Sequence, residues 1–244
     1  MKLLKAMAIA FSIYSKIPVP QFEWKEEDME YMMCFFPWIG GVIGLFFFGW
    51  AVLCEKFAVG NVCYALIGAA IPLMISGGFH VDGYMDTMDA FHSYQSREKK
   101  LEILKDSHIG AFAAIMLALY YMIDIAAISE IHTQKAVSAL AAVFFLARCF
   151  SGIAVMTLQP AKKEGLLYTF ASSAQKVRVK AALYFQTVLC VVLMLLVSGW
   201  YGAAAIGAAL LSFFYFKKKS YKELGGITGD TAGFFVTVCE AAAA

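Results

Sequence analysis

Long stretches without charged residues alternate along the chain with shorter segments that carry nearly all of its charge. About 20 consecutive apolar residues cross a bilayer as an α helix, so each long stretch predicts a membrane span. The last of them is long enough for two helices and has a break rich in glycine at 198–202. The pattern therefore predicts six spans, in residues 31–54, 57–79, 109–129 (apart from Asp124), 136–161 (apart from Arg148) and, as a hairpin, 181–216.

Two shorter apolar stretches lie near the ends of the chain. The first, residues 1–14, is flanked by lysines and followed by Pro18 and Pro20, where a signal-peptide cleavage site would need small residues. We therefore expect an amphipathic helix at the membrane interface, within an N-terminal segment 1–30. The second, residues 231–239, is too short to assign alone, so the expected number of spans is six to seven.

Composition agrees with this pattern and narrows the class of protein. The chain is 61% hydrophobic and 16% charged, whereas soluble domains are about 45–50% apolar and about 25% charged. We predict an all-α, polytopic transmembrane bundle, with residues 1–244 as a single integral membrane domain whose partner is the lipid bilayer. The net charge of +2 gives no reason to expect nucleic acid as a partner. None of the six cysteines has the C-x-x-C spacing of a zinc or redox site.

The basic residues fall on one side of the predicted spans. Of the 20 Lys and Arg residues, 17 lie in four segments that would share one membrane face. Because basic loops remain in the cytoplasm, this distribution predicts a protein of the cytoplasmic (inner) membrane. Its N-terminus and those four segments would lie on the cytoplasmic side. The segments are 1–30, 80–108, 158–180 and 217–230.

Three aspartates follow directly on the second stretch. Asp82, Asp86 and Asp89 are spaced i, i+4 and i+7, which puts their carboxylates on one face of a helix. Like charges at this spacing repel each other unless a cation lies between them. Carboxylate oxygens suit Mg²⁺, with Mn²⁺ as the alternative. A solvated helix face is the simpler interpretation, but the residues around the aspartates are apolar, and acids at membrane depth usually line a functional cavity.

Further polar residues are expected at the same membrane face. Asp106 precedes the third long stretch, and Asp230 ends a glycine-rich turn before the last apolar segment. Arg148, inside a predicted span, either pairs with a carboxylate or holds a phosphate. His80 either reaches a phosphate or lies at the membrane interface. These residues enlarge the aspartate cluster into a candidate site built from several helices.

At these positions the sequence resembles the cobalamin synthase (adenosylcobinamide-GDP ribazoletransferase) family. Residues 77–89 (GGFHVDGYMDTMD) resemble its G-G-L-H-x-D-G-L-x-D-T-x-D motif. Residues 105–112 (KDSHIGAF) are similar to its K-D-S-R-I-G-A-[FY] element, with His108 where an arginine is usual. Residues 225–230 (GGITGD) resemble G-G-x-T-G-D. Arg148 and the N-terminal segments 16–20 and 36–44 also fit, so the resemblance covers nearly the whole chain.

The resemblance implies a Mg²⁺-dependent phosphotransferase at the cytoplasmic face. Its substrates would be adenosylcobinamide-GDP and α-ribazole or α-ribazole 5′-phosphate, and its products adenosylcobalamin or the 5′-phosphate and GMP. Asp82, Asp86 and Asp89 would bind the metal, which neutralises charge that develops at the phosphorus. Asp89 or Asp106 would accept the proton of the attacking hydroxyl.

Other residues would bind the substrates. Lys105 and Arg148 would hold the diphosphate as catalytic cations. Substrate binding is assigned to a further set of residues: His80, Thr228, Gly229 and Asp230.

Two rival functions remain at this point. A membrane phosphotransferase of the CDP-alcohol type would use the same chemistry, but its D-G-x-x-A-R opening is replaced after Asp82 and Gly83 by Y-M-D-T. A cation transporter with an acidic site would carry its carboxylates near the bilayer midplane.

Self-association also stays open, because the small residues Gly40, Gly41 and Gly44 can pack against another helix.

Overall fold

The computed structural model describes residues 2–20, 23, 25–162 and 164–244. Lys163 and parts of the N-terminal segment (residues 1, 21, 22 and 24) therefore lie outside the described residues. The elements are α1 (Lys2–Tyr14), 3-10 turns at Glu26–Met29 and Met32–Cys34, α2 (Phe36–Lys56), α3 (Asn61–Ser76), α4 (Phe79–His92), α5 (Arg97–Ile103), α6 (Ala111–Ile128), α7 (Gln134–Thr157), α8 (Leu166–Ser173), α9 (Lys176–Ser198), α10 (Trp200–Leu224) and α11 (Gly229–Ala242). The predicted all-α class is confirmed.

Fewer helices than expected meet the requirements for a span. Within the described ranges, α2, α6, α7 and α9 are long and apolar enough to cross a membrane, and α3 with α4 would add a fifth if that bent pair is one span. The sequence predicted six to seven. The difference arises at two places. The predicted span 57–79 contains only the 16 residues of α3, and at the end of the chain α10 finishes in a lysine-rich turn and α11 has only 14 residues.

A sharp bend separates α3 from α4. The two helix axes differ by 97° at a short break, which consists of Gly77 and Gly78. Their φ angles are +68° and +84°, a region that glycine enters without steric cost. The Lys16 side chain packs against Gly77, where a Cβ atom would collide with it. The bend therefore turns the aspartate-bearing helix α4 away from the direction of α3.

Helix α7 is the central element of the bundle and packs against α2, α9, α10 and α11. Gly40 and Gly44 of α2 lie directly against the backbone carbonyls of Phe144 and Ala141 in α7, leaving no room for side chains. Small residues spaced four apart let two membrane helices approach this closely. The small residues of α2 are thus used within the chain.

A buried ion pair joins α7 to α11. The Arg148 guanidinium donates hydrogen bonds to Glu240 Oε1 at 2.6 Å and to the Phe144 carbonyl at 2.7 Å. Both charged side chains are buried, so each is stabilised mainly by the other. Of the two sequence interpretations of Arg148, the structure shows pairing with a carboxylate.

The basic segments gather at one end of the bundle. Lys100 pairs with Glu223 at 2.5 Å, and Arg178 donates to the Tyr31 hydroxyl at 2.9 Å. At the other end, the Tyr64 hydroxyl donates to the Ile131 carbonyl at 2.8 Å. The segments that the charge pattern assigned to one face therefore lie together.

We expect Gly40→Ala to destabilise the protein, because the new methyl group meets α7 backbone that cannot move aside. Overpacking of this kind costs about 1–3 kcal/mol. Gly49→Ala is the matched control, since Gly49 lies on the same helix with open space around it. Thermal unfolding in detergent measures both, and equal melting temperatures for the two variants would contradict the packing described here.

Arg148→Met should lower the free energy of unfolding by about 3–5 kcal/mol, because it leaves the Glu240 carboxylate buried and unpaired. The double variant Arg148→Met/Glu240→Leu should recover most of this loss. Thermal melts of the single and double variants measure the coupling. An Arg148→Met protein that melts like the wild type but is inactive would instead assign the guanidinium to substrate.

Candidate active site

A cavity of about 560 Å³ lies at the basic end of the bundle. The first turns of α4 and α11 and the last turns of α7 line the cavity. The loops that follow α5 and α7 form the rim of the cavity. The polar residues that line the cavity are His80, Asp82, Lys105, Ser151, Lys162, Glu164, Thr228 and Asp230. Its aromatic, aliphatic and glycine residues include Tyr14, Met33, Phe36, Phe79, Gly83, Leu104, Val155, Gly165, Leu167, Phe170, Ile227 and Gly229. Such a volume falls in the range of small-molecule sites, about 300–1,000 Å³.

Two aspartates that are distant in sequence meet in this cavity. Gly83 of α4 packs against Asp230 at the start of α11, and a Cβ atom on Gly83 would lie 2.8 Å from the Asp230 carbonyl oxygen. Because residue 83 has no side chain, the helices approach closely enough for Asp82 and Asp230 to share the lining. The glycine of the D-G pair in α4 is therefore what unites the first and last acidic motifs.

The turn before α11 is held by a capping box. Thr228 Oγ1 accepts a hydrogen bond from Thr231 N at 3.1 Å, and Thr231 Oγ1 accepts one from Thr228 N at 2.8 Å. This reciprocal pair fixes the N-terminus of α11. The Thr228 hydroxyl also donates to Asp230 Oδ2 at 3.4 Å, a weak bond that orients the carboxylate. Thr228, Gly229 and Asp230, which the sequence predicted to bind substrate, all line the cavity.

The three aspartates of α4 have different environments. Asp89 accepts hydrogen bonds from Gly110 N at 2.7 Å and Ala113 N at 2.8 Å, and so caps the N-terminus of α6. Asp86 is partly buried and lies close enough to the other acids for their charges to act on it. Asp82 lines the cavity. Among the described residues, backbone donors engage the carboxylate of Asp89 but not those of Asp82 and Asp86, so the latter two acids stay available to a ligand.

The acids are the right donors for Mg²⁺, but they are not gathered around one point. Among the described residues, no group of three or more His, Cys, Asp or Glu side chains is close enough to hold a metal ion. Hard cations accept carboxylate and hydroxyl oxygens, which Asp82, Asp86, Asp230 and Thr228 supply. The donor chemistry fits a magnesium ion, and its binding stays a prediction.

Two lysines stand at the cavity. Lys105 Nζ pairs with Glu164 Oε1 at 2.5 Å, and both side chains are exposed. Lys162 Nζ donates to the Leu101 carbonyl at 2.8 Å. Burial lowers the pKa of Lys162, and the positive charge of Lys105 lowers it further, while Asp230 and Glu164 oppose this. Sequence analysis assigned Lys105 to the site but counted Lys162 only as a basic loop residue.

Asp106 lies outside the cavity lining. Its Oδ1 atom accepts hydrogen bonds from His108 N at 3.0 Å and from His108 Nδ1 at 2.6 Å. These bonds hold the pKa of Asp106 below its usual range. A carboxylate with a lowered pKa is a weaker proton acceptor, so the geometry does not favour Asp106 as the base.

The remaining predicted residues also divide. His80 is 5% exposed and lines the cavity, and neither ring nitrogen hydrogen-bonds to any residue in the described part of the chain. Arg148 is engaged by Glu240 and is absent from the lining. The structure thus brings six of the predicted residues to one cavity, His80, Asp82, Lys105, Thr228, Gly229 and Asp230, and leaves Asp86, Asp89, Asp106 and Arg148 around it.

From the sequence, Tyr14 and Phe36 are only candidates for binding the corrin ring, with anchoring at the membrane interface as the commoner explanation, and nothing indicates Phe170. Tyr14, Phe36 and Phe170 line the cavity and are buried. They come from α1, α2 and α8, and no spacing in the sequence connects them. Phe36 does occur in a segment that fits the family pattern, which was the available signal.

The whole chain is similar to known proteins. The family described as cobalamin-5-phosphate synthase matches residues 6–244. An adenosylcobinamide-GDP ribazoletransferase of Lachnoclostridium phytofermentans is 44% identical over 240 residues, which is 98% of this chain and 92% of that protein. Proteins of the same name from Clostridium botulinum (strain Alaska E43) and Azorhizobium caulinodans are 31% and 30% identical, covering 98% and 99% of this chain and 94% of each relative.

No solved structure matches the chain. The family match extends over more than nine tenths of the sequence and includes the motifs that line the cavity. It confirms the resemblance expected from the motifs at 77–89 and 225–230. The chain belongs to the cobalamin-5-phosphate synthase family.

Proposed function

We propose that the protein is an adenosylcobinamide-GDP ribazoletransferase. It joins adenosylcobinamide-GDP to α-ribazole or α-ribazole 5′-phosphate and releases GMP. A relative of that name is 44% identical over nearly the whole chain. The observation that carries the proposal is the meeting of Asp82 and Asp230 in one cavity, because it unites the two acidic motifs across about 150 residues of sequence.

The reaction is a displacement at phosphorus. A hydroxyl of the acceptor forms a new bond to a phosphorus of the diphosphate, the bond from that phosphorus to GMP breaks, and the hydroxyl loses its proton. Negative charge develops on both oxygens in line with the phosphorus. Asp82, Asp86 and Asp230 would hold a Mg²⁺ once their side chains move together, and the ion would then supply neutralisation of that charge.

The chain's own residues bind and orient the substrates. Lys105 and Lys162 lie where they attract the diphosphate, and Lys105 must exchange its Glu164 partner for phosphate oxygens. The unpaired acids of α4 and Asp230 are the groups placed to accept the proton. Asp89 acts on the site indirectly, by fixing α6 against α4.

The protein would lie in the inner membrane, with the cavity open to the cytoplasm. This orientation follows from the basic segments, which surround the cavity and which positive-inside topology keeps in the cytoplasm. A nucleotide-activated substrate of the cytoplasm reaches the cavity directly from that side.

Asp82→Asn and Asp86→Asn should each lower GMP release by about 100-fold or more, because each removes a carboxylate that would help to hold the metal at the reacting phosphate. Activity is measured with purified protein, adenosylcobinamide-GDP and α-ribazole. Glu102→Gln is the matched control, an exposed acid at the same end of the bundle. Full activity of both aspartate variants, with unchanged melting temperatures, would overturn the assignment.

Removal of divalent cations with EDTA should abolish GMP release, and Mg²⁺ should restore it. A ligand that binds only the folded protein raises its melting temperature, so Mg²⁺ should also stabilise the wild type. The Asp82→Asn/Asp230→Asn variant should lose this stabilisation. Turnover that persists in EDTA would exclude the metal from the proposal.

A further inference from the structure

One side of the cavity is a cluster of aromatic rings, which we call the aromatic floor: Tyr14, Phe36, Phe79, His80 and Phe170. Tyr14 is at its centre, with ring centroids 4.5 Å from Phe36 and 6.2 Å from Phe170. The Tyr14 and His80 rings are stacked, 6.1 Å apart and inclined by 6°. Tyr14, Phe36 and Phe170 are buried, so they do not serve as an aromatic belt at the membrane surface.

His80 is the polar member of this floor that lacks a partner. Its side chain is buried, and neither ring nitrogen makes a hydrogen bond. Buried polar atoms in native proteins nearly always have a partner, because an unpaired one costs free energy. The residue lines the cavity, but both ring nitrogens are shielded from solvent, so the ring must turn before they contact a bound ligand.

The cavity therefore has two chemically different parts. The first contains Asp82, Lys105, Lys162 and Asp230 and suits phosphates with a divalent cation. The second is the aromatic floor with its unpaired histidine. His80 and Asp82 line the same cavity, so the two parts adjoin and a single ligand can occupy both.

We propose that the aromatic floor holds the base of α-ribazole, with His80 donating a hydrogen bond to the free ring nitrogen of that base. The inference rests on the proposed function. The base is a flat dimethylbenzimidazole, which is apolar except for one unsubstituted ring nitrogen. A neutral imidazole has one N–H donor, which matches that one acceptor.

Guanine, the base of the GDP group, fits this floor less well. It carries several donors and acceptors along its edges, and these would stay unpaired against the phenyl rings of Phe36 and Phe170. Aromatic rings stack on any flat base, so the polar groups decide between the two. The ribose of α-ribazole then extends from His80 toward Asp82 and Asp230, where phosphoryl transfer takes place.

Steady-state GMP release tests the role of the floor. Phe170→Ala should raise the KM for α-ribazole about 10-fold, the loss of one aromatic contact. The KM for adenosylcobinamide-GDP should stay within about twofold. Tyr168→Ala is the control on the same helix, since Tyr168 is 38% exposed and is absent from the cavity lining. A raised KM for adenosylcobinamide-GDP instead would assign the floor to that substrate and overturn the proposal.

A substrate analogue tests the hydrogen bond itself. In the corresponding dimethylindole riboside, a C–H group replaces the free ring nitrogen. The wild type should use it with a kcat/KM about 10-fold below that for α-ribazole, because the His80 N–H is left unpaired. His80→Leu should remove this preference, and His80→Gln, which keeps a donor, should retain part of it. An unchanged preference in His80→Leu would refute the hydrogen bond.

The proposed function and this inference fail in different ways. Wild-type protein that releases no GMP from adenosylcobinamide-GDP refutes the proposed function. Titration of α-ribazole alone into wild type, Phe170→Ala and Tyr168→Ala then still tests the aromatic floor. Phe170→Ala should bind α-ribazole about 10-fold more weakly than the wild type, and Tyr168→Ala should bind it equally well. Equal affinities in all three proteins would exclude the floor as a binding site.

Discussion

The close approach of α4 and α11 is the contact on which the site depends. Asp82 and Asp230 can share a cavity only because Gly83 lets the two backbones meet. The approach in turn requires the bend at Gly77 and Gly78, which redirects α4 from α3. Three glycines thus provide what no side chain could, a change of direction followed by backbone contact. The acidic residues take their places as a result of this geometry.

Much of the architecture could be predicted from the sequence, because membrane insertion imposes strong and local rules. The length of the apolar stretches predicted α2, α6, α7 and α9. The distribution of lysine and arginine predicted which loops lie together at one end of the bundle. Helix number was less predictable at the end of the chain. There α10 combines an apolar stretch with a basic end, and α11 is short and surrounded by protein, so hydropathy alone does not classify them.

The site was only partly predictable, because spacing on a helix does not say what each side chain faces. The i, i+4, i+7 pattern placed three carboxylates on one face of α4, yet Asp89 is directed at the N-terminus of α6. Arg148 had two equally reasonable partners, and its choice of Glu240 depends on a helix 92 residues away. Tyr14, Phe36 and Phe170 show the same limit, since their contacts join helices with no shared pattern.

The cavity is built from helices that are synthesised at different times. Its aromatic side uses α1, which leaves the ribosome before the other described helices, while its second acidic motif belongs to α11, which leaves it after them. Until α11 has docked, Arg148 has no carboxylate partner and Gly83 faces no backbone. Docking of the final helix therefore stabilises the interior charge and completes the site in one step. A partly synthesised chain in the membrane is accordingly unable to bind and cleave the activated substrate.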